Sequence, residues 1–241
     1  MIQALNAYAA RVSIPPTSLL LSACFSSNPN TISPLPLPEI HPLLDYLFLM
    51  AYDYAGSWGD VTAHQANLFP STSNPASTPF STSAAIDIYL GAGVPASKIV
   101  MGMPLYGRAF GTTAGLGKSF QGTGPSGEGK GSWEQGVWDY KALPRENEQE
   151  EYDEESGASW CWGREGVVSY DTVRAGKRKA DWVKEKGLGG VGWWESSGDK
   201  VGEGSLITAV TDMLGGLEKT QNTLTFPESS YDNLKAGFPN E

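Results

Sequence analysis

The sequence contains little positive charge. Its 241 residues carry 17 Lys and Arg against 27 Asp and Glu, which gives a formal net charge of −10 and a pI near 4.7. Nucleic-acid phosphates and anionic membrane surfaces bind basic faces, so this balance argues against both as partners. A neutral substrate is compatible with it.

Cysteine and histidine are equally scarce. Cys24 and Cys161 are too few for a disulfide framework and lack metal-ligand spacing, so we expect them to be free or buried. The two histidines, His41 and His64, lie too far apart to suggest a metal site. The sequence therefore predicts neither a metal nor a cofactor.

Long apolar runs are absent as well. No run approaches the roughly 18 residues of a membrane span. The first residues have no basic start followed by an apolar core, which predicts that they are not a signal peptide. They have instead the pattern of an amphipathic helix at 2–11.

Shorter apolar runs predict buried parallel strands, and they lie at 18–25, 45–52, 98–105 and 189–194. Aromatic and charged residues end three of the runs: Tyr52, Asp53 and Trp58; Tyr106 and Arg108; and Trp193, Trp194 and Glu195. In barrel enzymes, polar groups at this end of the strands form the active site. An acid between phenols, beside an indole, suits a neutral, ring-shaped ligand such as a sugar.

Helices are predicted between these strands. One is capped near Ser81, one runs from a cap at Asp171 to Gly187, and one spans 205–217. The alternation of strands and helices predicts an α/β fold with a parallel sheet and right-handed crossovers. A complete (β/α)₈ barrel needs eight strands, so four strands predict a partial TIM barrel.

Segment 107–168 differs in composition, with crowded glycines, clustered acids and scattered tryptophans. It predicts a small inserted α+β lobe. The predicted domains are thus half of a barrel at 1–106 and 169–217, the lobe at 107–168 and a surface tail at 218–241.

Several long motifs carry a family resemblance. Met50-Ala-Tyr-Asp-Tyr-Ala-Gly-Ser-Trp58, Lys98-Ile-Val-Met-Gly-Met-Pro-Leu-Tyr-Gly-Arg-Ala-Phe110 and Gly189-Gly-Val-Gly-Trp-Trp-Glu195 resemble the sixth-, seventh- and eighth-strand motifs of glycoside hydrolase family 18, the chitinases. Gly131-Ser-Trp-Glu134, Val137-Trp-Asp-Tyr140 and Val168-Ser-Tyr-Asp171 resemble the insertion domain of its deep-cleft members. The fungal members are the most similar.

The resemblance implies retaining, substrate-assisted hydrolysis of β-1,4-linked N-acetylglucosamine polymers, with chitin or chito-oligosaccharides as partners. Tyr52 and Asp53 would be the catalytic residues: Tyr52 would orient the substrate's acetamido oxygen and Asp53 would hold the distorted sugar ring. The substrate-binding residues would be Met50, Trp58, Tyr106, Arg108 and Trp194. The family also implies an extracellular location.

The family's general acid is missing from this sequence. That glutamic acid ends an Asp-x-x-Asp-x-Asp-x-Glu motif on the fourth strand, and the nearest acidic cluster, 151–155, has the wrong spacing and is expected to be a solvated loop. The fifth strand has Ala23-Cys-Phe25 where the family usually has Ala-x-Pro. We therefore expect a truncated or inactive form of the enzyme.

Two other functions remain open. Aromatic subsites can persist without the acid, which would leave a non-catalytic, lectin-like chitin-binding protein. A barrel enzyme for phosphorylated substrates is a weaker alternative, since no glycine-rich phosphate loop follows the last strands. Exposed edges at 18–25 and 189–194 also predict self-association.

Secondary positions are assigned packing roles or left open. His64 is expected to be a loop hydrogen-bonder, while core packing and a structural hydrogen bond are favoured for Trp193 and Glu195. Cleft lining and lobe packing are equally compatible with three aromatic residues, which are Tyr54, Trp133 and Trp138.

Overall fold

The structure, a computed structural model, describes residues 1–15, 19–124, 134–220 and 229–236. The chain divides into two compact units. Residues 21–215 form one unit, and residues 1–20 together with residues 216–241 form the other. The helices are α1 (Ile2–Val12), α2 (Pro29–Ile32), α3 (Leu37–Ile40), α4 (Thr82–Gly91), α5 (Val173–Lys186), α6 (Leu206–Leu214) and α7 (Asp232–Lys235). The 3-10 turns are His41–Leu43, Pro75–Ser77, Ala96–Lys98, Tyr140–Ala142 and Ser196–Gly198.

The strands of the described residues form three sheets. They are β1 (Ser22–Ser26), β2 (Tyr46–Met50), β3 (Ile99–Pro104), β4 (Tyr106–Phe110), β5 (Thr112–Thr113), β6 (Phe120–Gln121), β7 (Val137–Asp139), β8 (Gln149–Asp153), β9 (Ala158–Gly163), β10 (Gly166–Tyr170) and β11 (Gly190–Trp194). A parallel sheet has the order β1-β2-β3-β11, an antiparallel sheet has the order β7-β4-β10-β9-β8, and β5 pairs with β6. This mixture confirms the predicted α/β class.

Each of the four predicted apolar runs contributes one strand to the parallel sheet. Ile99, Met101 and Met103 on β3 are fully buried, as expected of a strand covered on both faces. The first strand begins at Ser22, and the described residues 19–21 of the predicted run lie outside it. The Leu21 N–H donates to the Asp45 carboxylate at 2.7 Å instead of joining the ladder.

Two predicted helix ends are correct and one cap is wrong. The Ser81 hydroxyl accepts from the Ala84 N–H, and Gly187 ends α5 in the left-handed conformation. The cap of α5 is Thr172, however, and not Asp171. The Asp171 carboxylate is buried and instead accepts from Lys179 Nζ at 2.6 and 2.8 Å, because a buried charge requires a close partner.

The helix predicted at 205–217 is also shorter than predicted. Helix α6 ends at Leu214 and not at 217, because Gly215 has a φ of 85° that breaks the helical geometry. Within 107–168, the described residues form strands and one 3-10 turn, and no α-helix is found among them. The domain boundaries stay predictions.

The unit formed by 1–20 and 216–241 contains α1 and α7. The helix predicted at 2–11 is confirmed, and Ser13 caps its end with a φ of 57°. Pro227 and Pro239 of the predicted tail lie outside the described residues. In the part of the chain that the structure describes, no helix is both long and apolar enough to cross a membrane.

Candidate functional site

The carboxyl ends of the parallel strands surround a cavity of about 430 Å³. Its lining includes six predicted site residues, which are Met50, Tyr52, Asp53, Tyr106, Arg108 and Trp194. The seventh, Trp58, lines a neighbouring pocket of about 330 Å³ that shares Met50, Tyr52 and Asp53 with the first. The strand ends therefore bring all the predicted site residues into one cleft, although their roles stay predictions.

A hydrogen-bond network around Asp53 organises the cleft. Arg108 donates to the Asp53 carboxylate from Nε at 2.8 Å and from Nη2 at 3.0 Å, and the Tyr106 hydroxyl donates at 2.7 Å. The Asp53 side chain is 38% exposed and that of Arg108 only 13%. Asp53 also has a φ of 60°, a conformation that aspartate tolerates better than most residues. The carboxylate is thus fixed from one side and open to the cleft on the other.

Arg108 connects this network to an aromatic surface. Its guanidinium lies 5.0 Å from the centre of the Trp58 ring and 5.3 Å from that of Tyr106. Nη1 donates to Glu134 at 3.2 Å. Three guanidinium nitrogens are therefore engaged by protein carboxylates, which makes Arg108 an organiser of the cleft rather than a ready donor to a sugar.

Tyr52 and Tyr106, the phenols that line the 430 Å³ cavity, are protonated over the physiological range. Burial raises the pKa of Tyr52 to about 12, with smaller contributions from Cys24 and Asp53. Burial also raises the pKa of Tyr106, and the charge of Asp53 adds to the effect. The Tyr106 hydroxyl donates its proton to the Asp53 carboxylate, whereas Tyr52 lines the cavity as a neutral phenol.

A glycine in β3 makes room for Tyr52. A Cβ on Gly102 would lie 2.6 Å from the Leu49 carbonyl oxygen and 2.9 Å from the Tyr52 ring. Neither distance is possible for a real side chain, so only glycine allows β3 to pack this closely beneath Tyr52.

Gln65 is a site-supporting residue that the sequence interpretation missed. It is fully buried, donates from Nε2 to the Tyr106 carbonyl at 2.7 Å and accepts from the Asp53 N–H at 3.4 Å. Cys24, Glu134 and Asp139 also line the cleft and were not predicted as site residues. Glu134 and Asp139 lie within quoted motifs, so those motifs contained a usable signal.

Trp194 offers the most open aromatic surface at the end of β11, with 61% of the residue exposed. The next residue, Glu195, is exposed and caps the turn Ser196–Gly198 by accepting from Ser197. Hydrogen bonds from Ser197 lower the pKa of Glu195. The structural hydrogen bond predicted for Glu195 is confirmed. Trp193 does pack against the core.

Tyr54 and Trp138 are both buried, so packing dominates at each position. The Tyr54 hydroxyl pairs with the Thr82 hydroxyl at 2.8 Å, although its side chain also lines the pocket beside Trp58. Trp133 lies outside the described residues.

The acidic cluster 151–155 is not a solvated loop. Its first three residues belong to β8, and the Glu155 carboxylate accepts hydrogen bonds from Ser71, Thr72 and Ser73. The hydroxyl-rich loop at 71–73 supplies partners that could not be identified from the cluster's own spacing.

His64 also differs from its prediction. Its ring is buried beside Trp160, with the ring centres 5.3 Å apart. The backbone N–H donates to the Ser77 carbonyl, but Nδ1 has no hydrogen-bond partner among the described residues. Burial lowers the pKa of His64 to about 4, so the ring is neutral.

Both free cysteines agree with the sequence prediction. Cys161 is buried in the antiparallel sheet, and Cys24 is exposed on β1 at the cleft. Burial raises the pKa of the Cys161 thiol, which hydrogen-bonds to Glu148.

Comparisons with known protein families and sequences show which proteins this chain resembles. The model of the family described as "Glycosyl hydrolases family 18" matches residues 1–199. "Chitinase 1" of Aphanocladium album is 43% identical over 221 residues, which are 91% of this chain and 51% of that protein. "Endochitinase 1" of Metarhizium robertsii is 42% identical over 233 residues, which are 96% of this chain and 54% of that protein.

A solved structure has a similar fold. A mutant class V chitinase from Nicotiana tobaccum, in complex with NAG4, is 26% identical with a TM-score of 0.75. The match covers 89% of this chain and 61% of that chain. The chain spans about half the length of the curated relatives it matches. The family match and the fungal relatives together show that the chain belongs to glycosyl hydrolase family 18 and is of the fungal chitinase type.

Proposed function

We propose that this chain forms the substrate-positioning part of a chitinase cleft that acts on β-1,4-linked N-acetylglucosamine. The observation that carries the proposal is the convergence of Tyr52, Asp53 and Trp194 on one cavity at the carboxyl ends of the parallel strands. In this interpretation, the four parallel strands are part of a (β/α)₈ barrel and the antiparallel sheet belongs to an inserted lobe. An extracellular location follows from the family alone.

The proposed reaction is substrate-assisted. The substrate's acetamido oxygen forms a bond to the anomeric carbon as the glycosidic carbon–oxygen bond breaks, and the leaving oxygen receives a proton from a general acid. The neutral Tyr52 phenol donates to the acetamido group and holds it for attack. Asp53, fixed by Arg108 and Tyr106, holds the distorted ring, while Trp194 stacks against its C–H face.

The carboxyl groups lining this cavity are poor candidates for the general acid, which must hold a proton that it can donate to the leaving oxygen. Asp53 and Glu134 form ion pairs with Arg108, and Asp139 lies 3.1 Å from Lys141 Nζ. The fourth, Glu195, has a lowered pKa. We therefore propose that these 241 residues bind substrate without cleaving it, and that the proton donor of an active enzyme comes from sequence outside them.

Binding can be tested on the chain labelled with 5-fluorotryptophan. The ¹⁹F resonances of Trp194 and Trp58, assigned by single Trp→Phe substitutions, should shift saturably with the N-acetylglucosamine trimer. The glucose trimer is the matched ligand control, because it lacks the acetamido group and should bind this cleft more weakly. Unchanged Trp194 and Trp58 signals up to the solubility limit of the sugar would refute the proposal.

The Tyr52→Phe variant tests the acetamido contact in the same titration. Loss of one hydrogen bond costs about 1 kcal/mol, so affinity should fall about fivefold for the N-acetylglucosamine trimer. Affinity for the glucose trimer should be unchanged. An equal loss of affinity for both sugars would show that Tyr52 does not contact the acetamido group.

A further inference from the structure

A second cavity, of about 780 Å³, lies between the loop that follows β2 and the antiparallel sheet. Its lining shares no residue with the two cleft pockets. Its volume lies within the range of about 300–1,000 Å³ that is typical of small-molecule sites. The loop contributes Ser71, Ser73 and Asn74, and β8 and β9 contribute the facing wall.

Two indoles form one side of this cavity. Trp160 and Trp162 are two residues apart on β9, so both side chains project from the same face of the sheet. Cys161 lies between them and is buried on the opposite face. Trp162 is 47% exposed although it borders a cavity. An exposed indole in a concave site is a flat apolar surface available for stacking.

Polar groups surround these indoles. Glu151 is paired with Trp160 across β8 and β9, so its carboxylate shares their face. Asn74 lies on the opposite wall and donates from Nδ2 to the Leu116 carbonyl. These groups supply hydrogen-bond acceptors around an aromatic surface.

The lining of the cavity includes a buried polar group without a partner among the described residues. His64 lines the cavity and is 1% exposed, and its Nδ1 has no hydrogen-bond partner in the described ranges. An unpaired buried polar atom is costly, and a hydroxyl from a bound molecule would satisfy it. The geometry thus combines a stacking surface, carboxylate acceptors and a buried nitrogen in need of a partner.

We propose that this cavity is a second carbohydrate site, which binds a neutral pyranose oligosaccharide independently of the cleft. Stacking on Trp162 and Trp160 suits the C–H face of a sugar, while Glu151 and His64 suit its hydroxyl groups. Glu151 and Asp153 disfavour an anionic ligand by charge repulsion. The proposal needs no catalytic residue and does not depend on the proposed function of the cleft.

The labelled chain provides the test, with the N-acetylglucosamine trimer and the glucose trimer as probes. The ¹⁹F resonances of Trp160 and Trp162 should shift saturably with at least one of them, both in the wild type and in Trp194→Ala. Static Trp160 and Trp162 signals with both sugars would overturn the proposal. So would shifts that vanish in Trp194→Ala, because they would then report binding in the cleft. The Trp194 signal in the wild type tests the cleft separately.

Variants identify the contacts. Trp162→Ala should weaken binding at this site about tenfold, and Trp162→Phe, which keeps a ring, should weaken it less. His64→Gln should weaken it as well, since it alters the buried partner. Trp58→Ala removes an exposed tryptophan of the cleft and should leave affinity at this site unchanged. Full affinity in Trp162→Ala would overturn the proposal, and the wild-type titration decides the question if that variant fails to fold.

Discussion

Replacing Arg108 with lysine tests whether this residue organises the cleft. Arg108 supplies two of the three side-chain hydrogen bonds that Asp53 accepts, and its planar guanidinium also lies against Trp58. Lysine keeps the positive charge, but it can neither bind a carboxylate through a planar fork nor stack in the same way. Asp53 and Trp58 should therefore both lose their fixed orientations.

The size of the effect follows from exposure. The pair is only partly buried, at 13% exposure for Arg108 and 38% for Asp53, so the lost hydrogen bond should cost about 1–2 kcal/mol and not the larger value of a fully buried pair. If similar free energy is needed to reorder Asp53 on binding, affinity for the N-acetylglucosamine trimer should fall about tenfold.

The assay combines urea unfolding with ¹⁹F titration of the Trp194 signal. Arg178→Lys is the matched control, because Arg178 also pairs with a carboxylate, Glu185, and lies 5.4 Å from an aromatic ring, but it is far more exposed. Its stability should change by less than about 0.5 kcal/mol and its affinity not at all. The reasoning fails if Arg108→Lys loses stability but binds sugar within twofold of the wild type, since Arg108 would then support only the fold.

Three further predictions concern stability and assembly. The pKa of His64 lies near 4 in the folded state and at 6.5 in the unfolded state, so the unfolded state binds the proton first as the pH falls. Up to about 3 kcal/mol of stability should therefore be lost between pH 6.5 and pH 4. Urea midpoints that follow the same pH course in His64→Gln would contradict this. Lys179→Met leaves the buried Asp171 charge unpaired and should lower the free energy of unfolding by about 3–5 kcal/mol. The control Lys186→Met, at an exposed ion pair, should lower it by less than about 1 kcal/mol. Comparable losses for the two variants in chemical denaturation would contradict this prediction. The strands β1 and β11 form the edges of the parallel sheet in the described residues, so light scattering should detect self-association that increases with concentration, and a strictly monomeric chain would disprove it.

The strands and the cleft could be predicted because their signals are local. A parallel strand buried on both faces is a continuous apolar run, as at β3, and polar residues directly after such a run must lie at the same sheet edge. Tyr52 and Trp194 could therefore be assigned to one cleft without any knowledge of their distance.

The features that escaped prediction depend on residues distant in sequence. Gln65 reaches Tyr106 across 41 positions, and the Leu21 N–H finds Asp45 across 24, so no local pattern reveals either contact. Asp171 satisfies the local rule for a helix cap, but burial made its ion pair with Lys179 more important.

Turnover of a fluorogenic chitobiose substrate tests the central claim most directly. The 241-residue chain should give no turnover above a matched blank, since a general acid typically contributes about 10²–10⁴ in rate and the carboxyl groups of the described cleft are poorly suited to the role. Co-expression with the N-terminal half of a fungal relative that carries the Asp-x-x-Asp-x-Asp-x-Glu motif should produce turnover, and Tyr52→Phe in this chain should reduce it. Turnover by the chain alone, or a complemented activity that does not respond to Tyr52→Phe, would contradict the account.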